Sequence, residues 1–230
     1  MHPRLIRQKP PNFLSIKIRH DPLKRIFDIA FSAIILIGFF PFFLLIAILV
    51  KITSPGPILY KSVRLGRGGK VICCWKFRSM YKDAEDRLMH LLDSNEQMRM
   101  EWEQFQKLKN DPRITLIGKF LRKTSLDEWP QFWNVFKGDL SIVGPRPPVL
   151  IGPPERFAQE IQKWYGIRVV KILSVRPGLT GVWQISGRSE IPFDERVRLE
   201  ELYAETRTFW KDIIMILKTI PAVLFSKGAY

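Results

Sequence analysis

Two adjacent carboxylates, Asp127 and Glu128, stand between a basic pair, Arg122-Lys123, and aromatic residues at helical spacing, Trp129, Phe132, Trp133 and Phe136. Acids at the start of a helix are stabilised by its dipole, and Ser125-Leu126-Asp127-Glu128 matches the capping-box pattern, so a structural role competes with a chemical one. Pro130 weakens the structural account. With Ser125 as cap, the proline would fall just past the first turn, where its missing N–H begins to cost a bond. The chemical account gains from Lys76, Arg78, Arg122, Arg146 and Arg176, each isolated among apolar or rigid neighbours where a merely solvated charge is less expected. A carboxylate pair, several fixed cations and a helix N-terminus together suit a phosphorylated, metal-bound substrate.

Other chemistries have less support. His2, His20 and His90 lack a paired nucleophile pattern, which speaks against histidine catalysis. Cys73 and Cys74 are adjacent, a poor geometry for a structural disulfide and an incomplete zinc set, and they read as small strand residues in a reducing compartment. The net charge of +15 would suit nucleic acid. No nucleic-acid-binding motif accompanies it, and the excess flanks an apolar segment, so it reads first as attraction to anionic lipid headgroups.

That segment, Ile29 to Val50, carries no charge, and Lys and Arg crowd both its ends. A membrane span normally keeps its positive charge on one side, so both ends read as cytoplasmic. At ~33 Å as a straight helix it could cross a hydrocarbon core of roughly 30 Å. Pro41, however, should break the helix at Phe40-Pro41, leaving arms of about 14 to 18 Å, each one leaflet deep. A re-entrant hairpin is therefore expected in preference to a kinked span or a cleavable signal peptide.

Beyond it, Ser54-Pro55-Gly56-Pro57 is a turn, and Ile58–Val63 and Val71–Phe77 form a β-hairpin across Gly66-Arg67-Gly68-Gly69. Those glycines lack the context of a phosphate loop. Asp83 to Asn110 is polar and helical, ended by Asp111-Pro112. A short amphipathic helix should end near Gly138, and Gly144-Pro145-Arg146-Pro147-Pro148 fixes where one arginine points. Helices are expected over Pro154–Tyr165 and Phe193–Tyr203, with a short extended segment at Val182–Ile185 closed by Ser186-Gly187-Arg188. Ile213–Phe225 is too short to cross a bilayer and reads as a core or interfacial helix.

The run from Lys119 to Pro147 closely resembles the signature of the bacterial sugar transferases, the monotopic polyprenyl-phosphate phosphoglycosyl transferases. Ser54-Pro55-Gly56-Pro57, Trp75-Lys76-Phe77-Arg78-Ser79-Met80, Val175-Arg176-Pro177-Gly178-Leu179-Thr180-Gly181 and Lys227-Gly228-Ala229-Tyr230 are further matches. The resemblance covers about residues 22 to 230. It does not extend to the additional N-terminal transmembrane region of larger members. The Asp83–Asn110 insert is similar to the hexose-1-phosphate branch, especially undecaprenyl-phosphate galactose phosphotransferases.

The resemblance implies transfer of a hexose-1-phosphate from a UDP-hexose, of galactose or glucose type, to undecaprenyl phosphate with release of UMP, starting a polysaccharide or O-antigen. It makes Asp127 the nucleophile and a ligand of Mg2+, and Glu128 an aid to proton removal from the acceptor. Lys76, Arg78, Arg122, Arg146 and Arg176 would hold phosphate oxygens, and Pro41 would break the membrane hairpin. The implied location is the cytoplasmic face of the bacterial inner membrane, with its lipid as a partner and no nucleic acid. Phe40 departs from the serine that members often place before this proline.

The expected fold is α+β and mainly helical. Residues 1–57 would form a basic tail and membrane-anchoring hairpin, and 58–230 a catalytic domain with interfacial C-terminal helices. Homodimerisation through the insert is compatible with the sequence, though nothing in it requires a dimer. The rival reading is a non-catalytic basic scaffold on the membrane surface, binding anionic lipid or nucleic acid. A transporter is disfavoured, because one apolar segment cannot supply an inward-facing polar path.

Overall fold

The computed structural model describes residues 16–105, 107–150, 156–187 and 191–224, with side chains through 222. The basic residues before 16, Pro154, Arg188 and the Lys227–Tyr230 motif lie outside the described residues. The fold is mostly helical with two small two-stranded sheets, an α+β arrangement.

Helix α1 (Pro22–Gly38) starts where Asp21 accepts the Lys24 N–H at 3.1 Å and Pro22 supplies a preset φ. It ends at Phe39, and α2 (Phe40–Thr53) leaves at a 64° bend. The break thus lies one residue before the expected Phe40-Pro41 step. Pro41 occupies the first turn of α2, where its missing N–H costs no helical bond. Among the described residues no single helix is long and apolar enough to cross a membrane; this bent pair passes that test by length and composition.

The expected hairpin is present. Strands β1 (Leu59–Leu65) and β2 (Val71–Phe77) pair antiparallel, with Tyr60 opposite Lys76. The Ser54–Pro57 turn is tied to the end of β2, because Arg78 donates to Ser54 O and to Pro55 O, the latter at 3.0 Å. Gly56 has φ 126°, and a Cβ there would lie 2.2 Å from Arg78 Nη1. Only glycine fits under the guanidinium.

The polar insert forms α3 (Ala84–Ser94) and α4 (Glu96–Phe105), followed by α5 (Leu116–Lys123), which Thr115 caps. A 3-10 turn, Leu126–Glu128, leads to α6 (Gln131–Lys137), which stops at Gly138 with φ 94°. Short strands β3 (Ser141–Val143) and β4 (Gly178–Thr180) pair in parallel. Between them come α7 (Phe157–Tyr165) and α8 (Val169–Ile172), and after them α9 (Val182–Ile185), α10 (Phe193–Thr206) and α11 (Phe209–Leu224). Val182–Ile185 is therefore helical rather than extended. Four residues with no flanking alternation give too little periodicity to separate the two states.

Three apolar clusters hold these elements. One joins Leu65 and Val71 to α7, α8 and α10; a second joins Ile72 and Cys74 to α6, β3 and Tyr203, with Phe27 and Phe31 of α1 against it. The third packs Ile46 and Val50 of α2 on Phe77, Leu121 and Leu126. Asn134, fully buried on α6, acts as a strand mimic: Oδ1 accepts the Trp75 N–H at 2.9 Å and Nδ2 donates to Cys73 O at 2.7 Å. This clamp fixes β2, and with it Lys76, relative to the turn that carries Asp127.

Candidate active site

Asp127 and Glu128 sit on the 3-10 turn between α5 and α6. The capping box does not form: Ser125 has φ 58° and makes no capping bond, and it is the sole non-glycine residue with positive φ among those described. A left-handed residue costs free energy that surrounding structure must offset, and such strain gathers at functional sites. Its effect here is a reversal of the chain that ends α5 and presents the two acids ahead of α6. Pro130 then becomes the residue before α6, where it breaks no bond.

The acids occupy different surroundings. Glu128 is a cation holder: Oε1 accepts from Lys76 Nζ at 2.5 Å and from Arg146 Nη2 at 2.5 Å, while Oε2 accepts from Arg146 Nη1 at 3.1 Å. Burial works against its charge, but Arg146 and Lys76 outweigh that and hold it well below the usual carboxylate range. Asp127 is 5% exposed, and its Oδ2 lies 3.9 Å from Lys76 Nζ. Burial raises its proton affinity, the Lys76 charge opposes that, and the Glu128 charge adds to it. Two neighbouring acids are thus driven apart, one committed to cations and the other a more basic oxygen facing a cavity.

That cavity measures about 960 Å³ and is lined by Lys76, Arg78, Arg122, Asp127, Glu128 and Arg146, among others. Lys76 comes from β2, Arg122 from the last turn of α5 with its Nε on Ser79 Oγ at 3.1 Å, and Arg146 from the proline-rich segment after β3. Arg78 reaches the cavity wall, yet its guanidinium is engaged by the Ser54-Pro55 carbonyls. Arg176 is elsewhere. Its Nε donates to Gly138 O at 3.2 Å beyond the C-terminus of α6, and it lines a separate small pocket with Arg19, Asp21, Arg67 and Arg207. The carboxylates precede α6 and Arg176 follows it, so about 10 Å of helix lies between them.

Four residues absent from the sequence-based set belong to the site. Lys107, from the segment joining α4 to α5, lines the cavity, and its Nζ lies 5.4 Å from the Trp183 ring centre. Burial, reinforced by Arg146 and Arg122, pulls its pKa down to about 7. Trp183 also carries Arg146 at 5.1 Å and Arg196 at 4.7 Å. Glu200, 1% exposed on α10, accepts from Arg196 Nε at 3.0 Å, and its charge favours the charged form of Arg146. It is a positioning residue for Arg146. Its distance in sequence from Asp127 left no local signal by which to find it.

The bacterial sugar transferase model matches residues 19–226. The chain belongs to the bacterial sugar transferase family. This family member is 45% identical over 209 residues to the undecaprenyl-phosphate galactose phosphotransferase of Salmonella typhimurium, covering 90% of the chain and 42% of that relative. It is 38% identical over 213 residues to the UDP-glucose:undecaprenyl-phosphate glucose-1-phosphate transferase of Escherichia coli, covering 90% and 41%. The chain spans less than half the length of these relatives. With the Rhizobium meliloti exopolysaccharide production protein ExoY it shares 40% identity over 207 residues, 90% of the chain and 88% of that protein.

Magnesium can be weighed against the donor set. No group of three or more His, Cys, Asp and Glu that could hold a metal occurs among the described residues. Magnesium usually retains water and binds through one or two carboxylates plus substrate phosphates, so a single buried Asp127 beside a cavity lined by Lys76, Arg122 and Arg146 fits it.

Proposed function

We propose that this protein transfers a hexose-1-phosphate from a UDP-hexose to polyprenyl phosphate, with Asp127 as the nucleophile. The observation that carries the reading is the division between the two acids: Glu128 anchors Lys76 and Arg146, while Asp127 faces the cavity with raised proton affinity. An Asp127 oxygen attacks the β-phosphorus, the bond to the bridging oxygen breaks, and UMP departs. A phosphate oxygen of the acceptor then attacks the same phosphorus, and breaking the aspartyl bond restores the carboxylate and gives a polyprenyl diphosphohexose. Lys76, Arg122 and Arg146 meet the phosphate charge as it develops. Magnesium, held by Asp127 and the diphosphate, would neutralise charge on the leaving phosphate.

Glu128 is poorly suited to the proton removal the family resemblance implies, since a carboxylate held far below its ordinary range is a weak base. A base is also dispensable, because a phosphate monoester with a second pKa near ~6 is largely dianionic at neutral pH.

The membrane face is read from α1 and α2. Arms of about 25 and 21 Å meeting at this bend reach about 12 Å below the line joining their ends, less than half of a ~30 Å core. Ile34, Ile37, Phe40 and Leu45 are more than half exposed along them, and Ile29 and Phe42 more than a third. Such a surface supports a re-entrant, monotopic placement on the cytoplasmic side. The relatives' names support the substrates, and the ExoY likeness supports a role in exopolysaccharide synthesis.

The test is UMP release by purified protein with magnesium, undecaprenyl phosphate and a panel of UDP-hexoses. Native protein is expected to release UMP with one donor, and Asp127→Asn to lose at least a thousandfold. No UMP from any donor would overturn the reading and favour the scaffold.

A further inference from the structure

The central cavity is continuous with an apolar cleft between two helices far apart in sequence. At their N-terminal turns α1 and α11 are fastened by a buried Lys24–Asp212 ion pair and by Phe27 against Phe209, ring centres 5.7 Å apart. One and two turns further along, each helix contributes side chains to the cavity wall: Phe31 and Ile35 from α1, Ile216 and Ile220 from α11. Spacing of four residues places each pair on one face of its helix, and both of these faces border the cavity. Ile220 is 55% exposed, which leaves the cleft open at its edge, beside the exposed Ile34 and Ile37 of α1 and Leu217 of α11.

Inward, the cleft is walled by aromatic rings. Phe31 lies 6.4 Å from Phe132, and Phe132 lies 6.3 Å from Trp129, the residue after Glu128. The Thr180 and Thr219 hydroxyls on its wall are closed on each other, 2.7 Å apart, and Thr219 donates to Met215 O. A passage with apolar walls, an edge on the apolar face of the protein and a cationic inner end matches a molecule with a hydrocarbon chain and a phosphate head.

We infer that the cleft between α1 and α11 is the seat of the first isoprene units of the lipid acceptor, guiding its phosphate to Asp127. The assignment rests on the phosphoglycosyl transfer proposed above. It also orders the cavity: the acceptor enters from the α1–α11 side, which leaves the nucleotide sugar the side roofed by Trp102 and Lys107.

The experiment compares steady-state kinetics of Ile35→Trp and Ile220→Trp, which fill the cleft, with Ile34→Trp and Leu217→Trp, which add the same bulk beside it. With undecaprenyl phosphate in detergent, the cleft variants are expected to raise the acceptor KM tenfold or more and leave the donor KM within twofold. The outer variants should leave both within twofold. Equal behaviour of the two sets, or an equal rise in both KM values, would overturn the inference. Thermal unfolding checks that each variant folds, and Ile35→Ser and Ile220→Ser replace any that do not. The serine variants should lose the native preference for undecaprenyl over geranyl phosphate. If native protein releases no UMP at all, the transfer reading fails, and retention of undecaprenyl phosphate in native mass spectrometry tests the cleft separately. Retention by native protein and its loss in cleft variants alone supports the cleft; equal retention in all overturns it.

Discussion

The chemistry of single residues is set by how burial and neighbouring charge divide between them. Asp127 and Glu128 are the same functional group one residue apart, yet two cations sit on Glu128 and the proton affinity of Asp127 rises. Lys107 follows the same rule with the opposite sign. Its pKa of about 7 means that it is charged below neutrality and neutral above it, while an unfolded lysine stays protonated to about 10.4. Between those values the unfolded chain binds the extra proton, so this group makes stability rise with pH across that window. Its effect on substrate runs the other way. We expect the KM for the nucleotide sugar to rise several-fold between about pH 6 and 8, roughly one unit either side of that value, and Lys107→Met to flatten that dependence. An unchanged profile in the variant would remove Lys107 from the phosphate site.

At the scale of elements, the bend between α1 and α2 is linked to the turn that carries Asp127 through one side chain. Trp129 lies 5.3 Å from Phe39 at the break, 5.6 Å from Phe42 and 5.7 Å from Phe43. Phe40 is the first residue of α2, and its N-cap, Phe39, makes no side-chain capping bond. Aromatic packing thus does at this bend what a hydroxyl could do elsewhere. Trp129→Ala should cost about 2–3 kcal/mol, below the usual value for a core tryptophan because this ring is half-buried. A drop in thermal midpoint accompanied by lower kcat would show that the bend and the turn move together; a drop in midpoint alone would uncouple them. The hairpin β1–β2, the insert helices and the stop at Gly138 were legible because each has a local signal: alternating β-prone residues, helical spacing, a glycine at positive φ. The parallel pair β3–β4 was not, since three-residue strands joined across a long connection carry almost no pattern.

At the scale of the whole molecule, exposed apolar side chains extend beyond the bent pair to Leu116 and Phe120 of α5, Trp133 of α6, and Trp210, Ile214 and Leu217 of α11. Apolar surface on this scale in a folded protein marks an interaction face. With a net charge of +15, binding to anionic vesicles should combine burial with electrostatic attraction. In vesicle flotation we expect native protein to remain bound when salt screens surface charge, and Ile37→Asp with Phe40→Asp to move it to the soluble fraction under those conditions. Release of native protein by salt alone would reduce the proposed membrane attachment to electrostatics.

The sequence by itself determined the family, the acid pair, most of the basic residues around it and, to within one residue, the place of the apolar break, because these lie in short contiguous motifs whose spacing is local. Only the tertiary structure decided which cations meet which acid. Arg176 was drawn to the far end of α6 by its bond to Gly138, and Arg78 was taken up by the Ser54-Pro55 turn, while Lys107, Trp183 and Glu200 arrived from segments with no motif of their own. The physical reason is that a charge finds its partner across space. Pairings such as Arg146 with Glu128, or Lys24 of α1 with Asp212 of α11, exist only once the core has packed, and nothing in the neighbouring residues records them.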